Sequence, residues 1–274
     1  MQSTVLALMA HRGDLPKLDA AIFADPGEES DATYAHLKWL IKEVAPSFKV
    51  LVRSIGRLGD NVKCGVNSTG GRFLGLPTFQ SERDGECVGI SRRQCTKEYK
   101  TNVVERCIRR DVLGLEPRQR IPKEVWIEQW LGMSLEEARR VANVRAIFAE
   151  HRPRSTPRFP LFELGMTRRD CVKWLADYGV PHEVPRSACV FCPFKSNEEW
   201  RLMHDNDPKG WARAIEIDEH IRKPGVAHNR KMNRTLWLHR SCVPLAEADL
   251  RESDARSGQL GFGFSAECEG MCGV

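Results

Sequence analysis

The feature that most constrains the fold is the alternation of short apolar runs with amphipathic stretches over the first 55 residues. Residues 5–10 (Val-Leu-Ala-Leu-Met-Ala) are apolar and helix-prone, and Gly13 follows as a helix-ending residue. Residues 18–24 (Leu-Asp-Ala-Ala-Ile-Phe-Ala) read as a short buried strand that stops at Asp25-Pro26-Gly27. Residues 30–44 put Tyr34, Leu37, Leu40, Ile41 and Val44 at helical spacing. Residues 48–52 read as a second strand. The order α-β-α-β is the rhythm of a parallel sheet covered by helices, so the fold class expected is α/β.

Further along, residues 56–89 are rich in Gly, Ser and Asn and read as a long loop near a ligand. Residues 95–113 read as a helix with Val103, Val104, Cys107, Ile108 and Val112 along it. Around it stand Arg92, Arg93, Lys97, Lys100, Arg106, Arg109 and Arg110, either as a solvated basic face or as contacts to phosphate or sulfate. Residues 125–131 read as a third strand. Ser134 with Glu137, and Thr167 with Asp170, are capping-box pairs that open helices. The proline-containing basic stretch 151–159 reads as an exposed connector. Ser196 with Glu199 opens another helix, Asp207-Pro208 caps the next, and residues 236–238 read as a short strand.

The chain holds ten cysteines in 274 residues. Its first residues do not read as a signal peptide, and no apolar run has membrane-spanning length, so a reducing cytoplasm without membrane contact is expected. There, cysteine clusters point to metal or redox sites. Cys189 and Cys192, followed at once by Pro193, form a Cys-x-x-Cys-Pro turn whose thiolates can face one metal. Cys64, Cys87, Cys107, Cys171 and Cys242 read as ordinary thiols. The net charge of +5 is compatible with nucleotide or nucleic-acid partners.

Several segments, in order, resemble the phosphoadenosine-phosphosulfate (PAPS) reductase family within the PP-loop, adenine nucleotide alpha hydrolase-like group. Gln2-Ser3-Thr4-Val5-Leu6 resembles the end of the PP-loop and its helix. Residues 22–28 (Ile-Phe-Ala-Asp-Pro-Gly-Glu) resemble the strand and Asp-Thr-Gly turn. Residues 93–100 (Arg-Gln-Cys-Thr-Lys-Glu-Tyr-Lys) resemble the Cys-containing helix start. Pro160-Leu161-Phe162-Glu163, the Thr167 helix and Gly179-Val180-Pro181 resemble the late segment that leads to the Cys-x-x-Cys. The Cys-x-x-Cys-Pro and the ending Cys268-Glu269-Gly270-Met271-Cys272-Gly273-Val274 are most similar to phage- and prophage-type homologues.

The resemblance implies a three-layer α/β/α Rossmann-like parallel sheet over residues 1–180. A helical, Cys-rich part over 181–274 would pack on it as one unit. It also puts a first strand and a Ser-Gly-Gly phosphate loop ahead of Gln2, and these are missing from the sequence. Either the start codon lies further upstream or nucleotide binding is incomplete.

By the same resemblance, Cys95, Cys189 and Cys192 with Cys272 are metal ligands, Cys268 being the other candidate for the fourth place. They would hold a 4Fe–4S cluster, with zinc as the alternative and His182 as a possible zinc ligand. Cys268 is also the candidate nucleophile on a mobile Glu-Cys tail, and Lys97 and Lys100 are candidate oxyanion contacts. Gln2, Ser3, Thr4, Asp25 and Glu128 are candidate contacts to ATP or an adenylyl-sulfate nucleotide, with Mg2+ at Asp25. Asp25 has a rival reading as a simple turn carboxylate. The implied activities are sulfonucleotide reduction or ATP-driven thiolation of a nucleic acid or other substrate, with a thiol or electron-donor protein as partner. A non-catalytic metal-stabilised binding module and an inactive prophage remnant are the alternatives.

Overall fold

The computed structural model describes residues 1–66, 75–82, 85–152, 154–223 and 234–251. The expectations for Cys268, Cys272 and the Glu267-Cys268 tail lie outside the described residues.

Helix α1 (Gln2–Arg12) is buried from Thr4 to Ala10 and ends at Gly13 in a left-handed conformation. Its apolar composition on all sides suits a helix enclosed by the rest of the chain. Strand β1 (Ala20–Ala24) follows. Helix α2 (Asp31–Val44) is capped by Ser30, whose hydroxyl accepts from the Thr33 amide. Strand β2 (Lys49–Arg53) pairs parallel with β1, Ile22 opposite Leu51. The α-β-α-β reading of this region is therefore what the chain forms.

The stretch 56–89 is not one long loop. It contains α3 (Leu58–Cys64), β3 (Phe79–Ser81) and the start of β4 (Cys87–Ile90). Leu58 and Val62 provide the reason, since both are buried in a core shared with later helices. Next, α4 (Asn102–Cys107) is flanked without a break by wide π turns, Lys97–Thr101 and Ile108–Val112. Strand β5 (Ile127–Trp130) leads through the Ser134–Glu137 capping box into α5 (Ala138–His151).

The expected connector 151–159 contains a strand, β6 (Ser155–Arg158), parallel to β5. Pro157 is tolerated because β6 is an edge strand. Arg154 and Arg158 carbonyls accept from β5, so by alternation Pro157 faces away from the pairing. Helices α6 (Pro160–Glu163), α7 (Arg168–Tyr178), α8 (Asn197–Asn206) and α9 (Pro208–Arg222) follow, and β7 (Thr235–Trp237) joins β3.

The protein is thus a mixed α/β chain that, among the described residues, has two parallel strand pairs, β1-β2 and β5-β6, and an antiparallel sheet ordered β4-β3-β7. One core surrounds α1 and includes Val5, Leu8, Ala21, Val44, Trp130 and Leu161. Another joins Leu58 and Tyr99 to Phe191, Trp200, Ile217 and Leu236, drawing on residues from both sides of position 180. Among the described residues no helix is long and apolar enough to cross a membrane.

One reading of the cysteines needs correction. Cys87 and Cys242 are not separate thiols but a disulfide, across 155 residues of sequence. Antiparallel pairing of β3 with both β4 and β7 brings the two segments together. Expecting a reducing compartment says nothing about such proximity.

Candidate functional site

The site is built on the turn that leaves β1. Asp25 accepts from the Gly27 amide at 2.7 Å and from the Tyr34 hydroxyl at 2.8 Å. Its carboxylate thus closes the turn, as in the simpler of its two readings. Gly27 has φ 72°, and a side chain there would meet Arg57 Cγ at 2.9 Å, so the turn requires glycine.

The next two residues, Glu28 and Glu29, are both buried, which sequence reasoning missed. Glu28 accepts from Arg213 at 2.7 and 3.1 Å and from the Gly59 amide at 3.2 Å. Its backbone carbonyl accepts from the Val190 amide at 2.8 Å, which fixes the Cys-x-x-Cys turn beside the end of β1. Glu29 accepts from Ser187 Oγ at 3.0 Å, and the Lys100 ammonium lies 3.7 Å from the same oxygen, Oε1. The other oxygen, Oε2, is buried with no hydrogen-bond partner. An orphaned carboxylate oxygen is costly and calls for a donor or a cation.

Within the turn, the Cys192 amide donates to the Cys189 carbonyl at 3.0 Å and the Lys195 amide to the Cys192 carbonyl at 3.2 Å. Val190 and Phe191 anchor the turn in the core. Cys95 and Cys189 pack against that same core, and Arg93 lies 4.1 Å over the Phe194 ring, tying the two segments together. Burial pushes the Cys189 thiol well above its ordinary pKa. The negative charges of Glu29, Cys192 and Cys95 push the same way, while Lys100 opposes them. Such a thiol stays protonated unless a cation or ligation draws the proton off. Cys95, Cys189, Cys192 and Lys100, predicted from separate motifs, are therefore neighbours. Among the described residues, no three His, Cys, Asp or Glu side chains converge on a single ion position.

The remaining predicted residues divide differently. Lys97 is exposed, one turn before Lys100. Gln2 Nε2 donates to Ser134 Oγ at 2.8 Å and Glu137 Oε2 at 2.6 Å. Gly132 lies so close to Ser3 that an added Cβ would stand 2.8 Å from the Ser3 nitrogen. Thr4 Oγ1 lies 2.9 Å from His36 Nε2, and His36 Nδ1 lies 2.8 Å from His182 Nε2. His182 is thereby tied to His36 and stacked edge-on to Trp39, occupied in the fold. Glu128 accepts from Trp130 Nε1 and pairs with Arg158 at 3.4 Å. Gln2 and Ser3 thus seat α1 at the carboxyl end of β5, and Thr4 holds it to α2.

A signal for Glu28 and Glu29 was present, since two carboxylates directly follow a strand-ending Asp-Pro-Gly turn. Arg213 had none, because only the packing of α9 against α3 brings it to Glu28. No family model, curated protein or solved structure matches this chain.

Proposed function

We propose that this chain is a PAPS reductase-like iron–sulfur enzyme of adenylated sulfur chemistry. Its two parallel strand pairs would then belong to one three-layer Rossmann-like sheet. The observation that carries the reading is the gathering of Cys95, Cys189 and Cys192 with Lys100 beside the buried Glu29 oxygen, at the carboxyl end of β1. Open α/β sheets bind their ligands at that end. The donor chemistry fits an iron–sulfur centre, with thiols from two segments in an apolar surround and a fourth cysteine, Cys272, available in the tail. Zinc is the alternative occupant.

When bound, such a centre supplies electron transfer or a sulfur-handling metal face. Lys100 would balance negative charge at the site while Glu29 holds it in place. The adjacent, exposed Lys97 is the candidate contact for a phosphate or sulfate oxygen, and Cys268 the candidate nucleophile. Adenine nucleotide, with Mg2+, would take the carboxyl end of the strands near Asp25 and the start of α1.

One observation favours a second reading, a non-catalytic metal-stabilised nucleotide- or nucleic-acid-binding module. Asp25 Oδ1, Gln2 Nε2 and Thr4 Oγ1 are already engaged within the fold.

The deciding experiment is anaerobic purification with iron, sulfide and zinc analysis of the wild type, Cys95→Ser and Cys192→Ala. Iron and sulfide in the wild type, lost in both variants, are expected. ATP and adenylyl sulfate are then titrated calorimetrically. Zinc without nucleotide binding would favour the binding module, and well-folded protein with no metal would overturn the proposal.

A further inference from the structure

The stretch between α4 and β5 carries more positive charge than the fold consumes. Arg109 and Arg110 donate to the carbonyls of Gln119 and Leu115, which draws residues 113–120 back over the end of the helical segment. From the start of β6, Arg154 Nη1 donates to the Lys123 carbonyl at 2.7 Å. These arginines bond to backbone, and no described carboxylate forms an ion pair with them, nor with Arg118, Arg120 or Lys123. Two carboxylates of the same stretch are taken elsewhere, Glu105 by Arg152 and Asp111 by Arg53. Glu116 and Glu124 are the others within residues 105–126.

The backbone at Arg118 points the same way. The Gln119 amide donates to the Glu116 carbonyl at 3.0 Å, closing a turn whose central residues are Pro117 and Arg118. Proline fixes a negative φ at the first, and Arg118 has φ 67°. That is the type II pattern, whose second central place ordinarily takes glycine. An exposed arginine stands there against the preference of the backbone.

Trp126, at the amino end of β5, adds an aromatic surface. It is 63% exposed, and its indole N–H donates to Thr156 Oγ1 at 2.9 Å, which fixes the ring across β6. With Lys17, Val112 and Leu113 it lines a cavity of about 310 Å³ between β1 and β5. Lys17, Val112 and Trp126 are all exposed, so the cavity opens to solvent beside the indole. Lys123 and Arg154 stand just ahead of Trp126 and Thr156 at the amino ends of the paired strands. An anchored aromatic ring in water, bordered by cations without carboxylate partners, has the makings of a stacking platform for a base, with the cations along the phosphates.

We infer that the amino ends of β5 and β6, with the 113–120 turn, bind single-stranded nucleic acid. An unpaired base stacks on Trp126 at the cavity mouth, and neighbouring phosphates meet Arg118, Arg120, Lys123 and Arg154. A duplex hides the faces of its bases from such a ring, and an acidic peptide would match the cations without using the indole. This partner extends the nucleic-acid branch of the proposed function, on which it rests, and its site is separate from the cysteine turn at the carboxyl end of β1.

Fluorescence anisotropy tests it with the full chain and a labelled single strand of about 12 nucleotides, as DNA and as RNA, beside a duplex of the same length. Either single strand should bind more tightly than the duplex, and the tighter of the two identifies the sugar. Binding should weaken as salt rises from about 50 to about 200 mM. Trp126→Ala should lose roughly tenfold or more in affinity, whereas Trp126→Phe, which keeps a ring but not the bond to Thr156, should retain most of it. Arg118→Gly suits the backbone, so it should stay folded while binding more weakly, with a salt dependence shallower by about 0.7 in the log–log slope. No binding at low salt overturns the inference, as does a duplex bound as tightly as the single strands. Wild-type affinity in Trp126→Ala, with poly-glutamate displacing the strand, overturns it in favour of an acidic peptide. Iron, sulfide and zinc contents of these variants should match the wild type, so failure of this surface and failure of the cysteine chemistry are read separately.

Discussion

The Lys100 ammonium stands 3.7 Å from a Glu29 carboxylate whose side chain is wholly shielded from water. Attraction inside the protein offsets the cost of burying that charge, so removing one partner is worse than removing both. Lys100→Met should cost roughly 3 kcal/mol in urea unfolding, and adding Glu29→Gln should restore most of it. A Lys100→Met protein as stable as wild type would show that Glu29 is not held as a buried anion.

The His36 ring bridges Thr4 and His182, and a single neutral tautomer satisfies both contacts, donating from Nδ1 to His182 and accepting at Nε2 from Thr4. Burial first, then the nearby His182, lowers the His36 pKa from 6.5 to about 4. The unfolded chain therefore binds a proton that the folded chain resists. Stability from this group is fully present above about pH 6.5 and is lost as pH falls through about 4, in total roughly 2–3 kcal/mol. The difference in unfolding free energy between pH 7 and pH 4 should shrink by about that amount in His36→Gln, whose side chain does not titrate.

The Cys87–Cys242 bond fastens β4 to the segment after β7 across 155 residues. Closing so long a loop restricts the unfolded chain, an effect worth about 2–4 kcal/mol. Reductant should lower the urea midpoint of the wild type and leave that of Cys87→Ser unchanged. Equal midpoints for wild type with and without reductant would mean that the bond contributes nothing.

What could be read in advance was local. Helix caps were legible at Thr167, Ser196 and Asp207, because a cap needs only residues three positions apart, and each forms. The parallel pairing of β1 with β2 followed from apolar runs flanking an amphipathic helix. Strand β6 was missed because Pro157 and the surrounding arginines argue against a strand, and only its edge position excuses them. The antiparallel sheet was missed because β3 and β7 are three residues each and lie far apart in sequence. In the site, the cysteines were legible from spacing and resemblance. Arg213 was not, because its ion pair with Glu28, across more than a hundred residues, is set by tertiary packing alone.

Gly59 links the stability of the site to its chemistry. A Cβ there would press on the Arg213 guanidinium and stand 2.5 Å from Glu28 Oε1, so glycine makes room for the Glu28–Arg213 pair. Glu28 is buried, and Arg213 is its closest cation. Gly59→Ala must therefore shift that pair or α3, at a cost of roughly 1–3 kcal/mol for overpacking. Arg213→Leu should cost more, about 3–5 kcal/mol, because it strips Glu28 of its main partner. The consequence reaches the cysteines, since the Glu28 carbonyl holds the Val190 amide between Cys189 and Cys192. If that hydrogen bond positions the Cys-x-x-Cys turn, folded Gly59→Ala protein should retain less metal than wild type at the same stage of purification. Unchanged metal content in a destabilised Gly59→Ala protein would assign Glu28 and Arg213 to the fold alone.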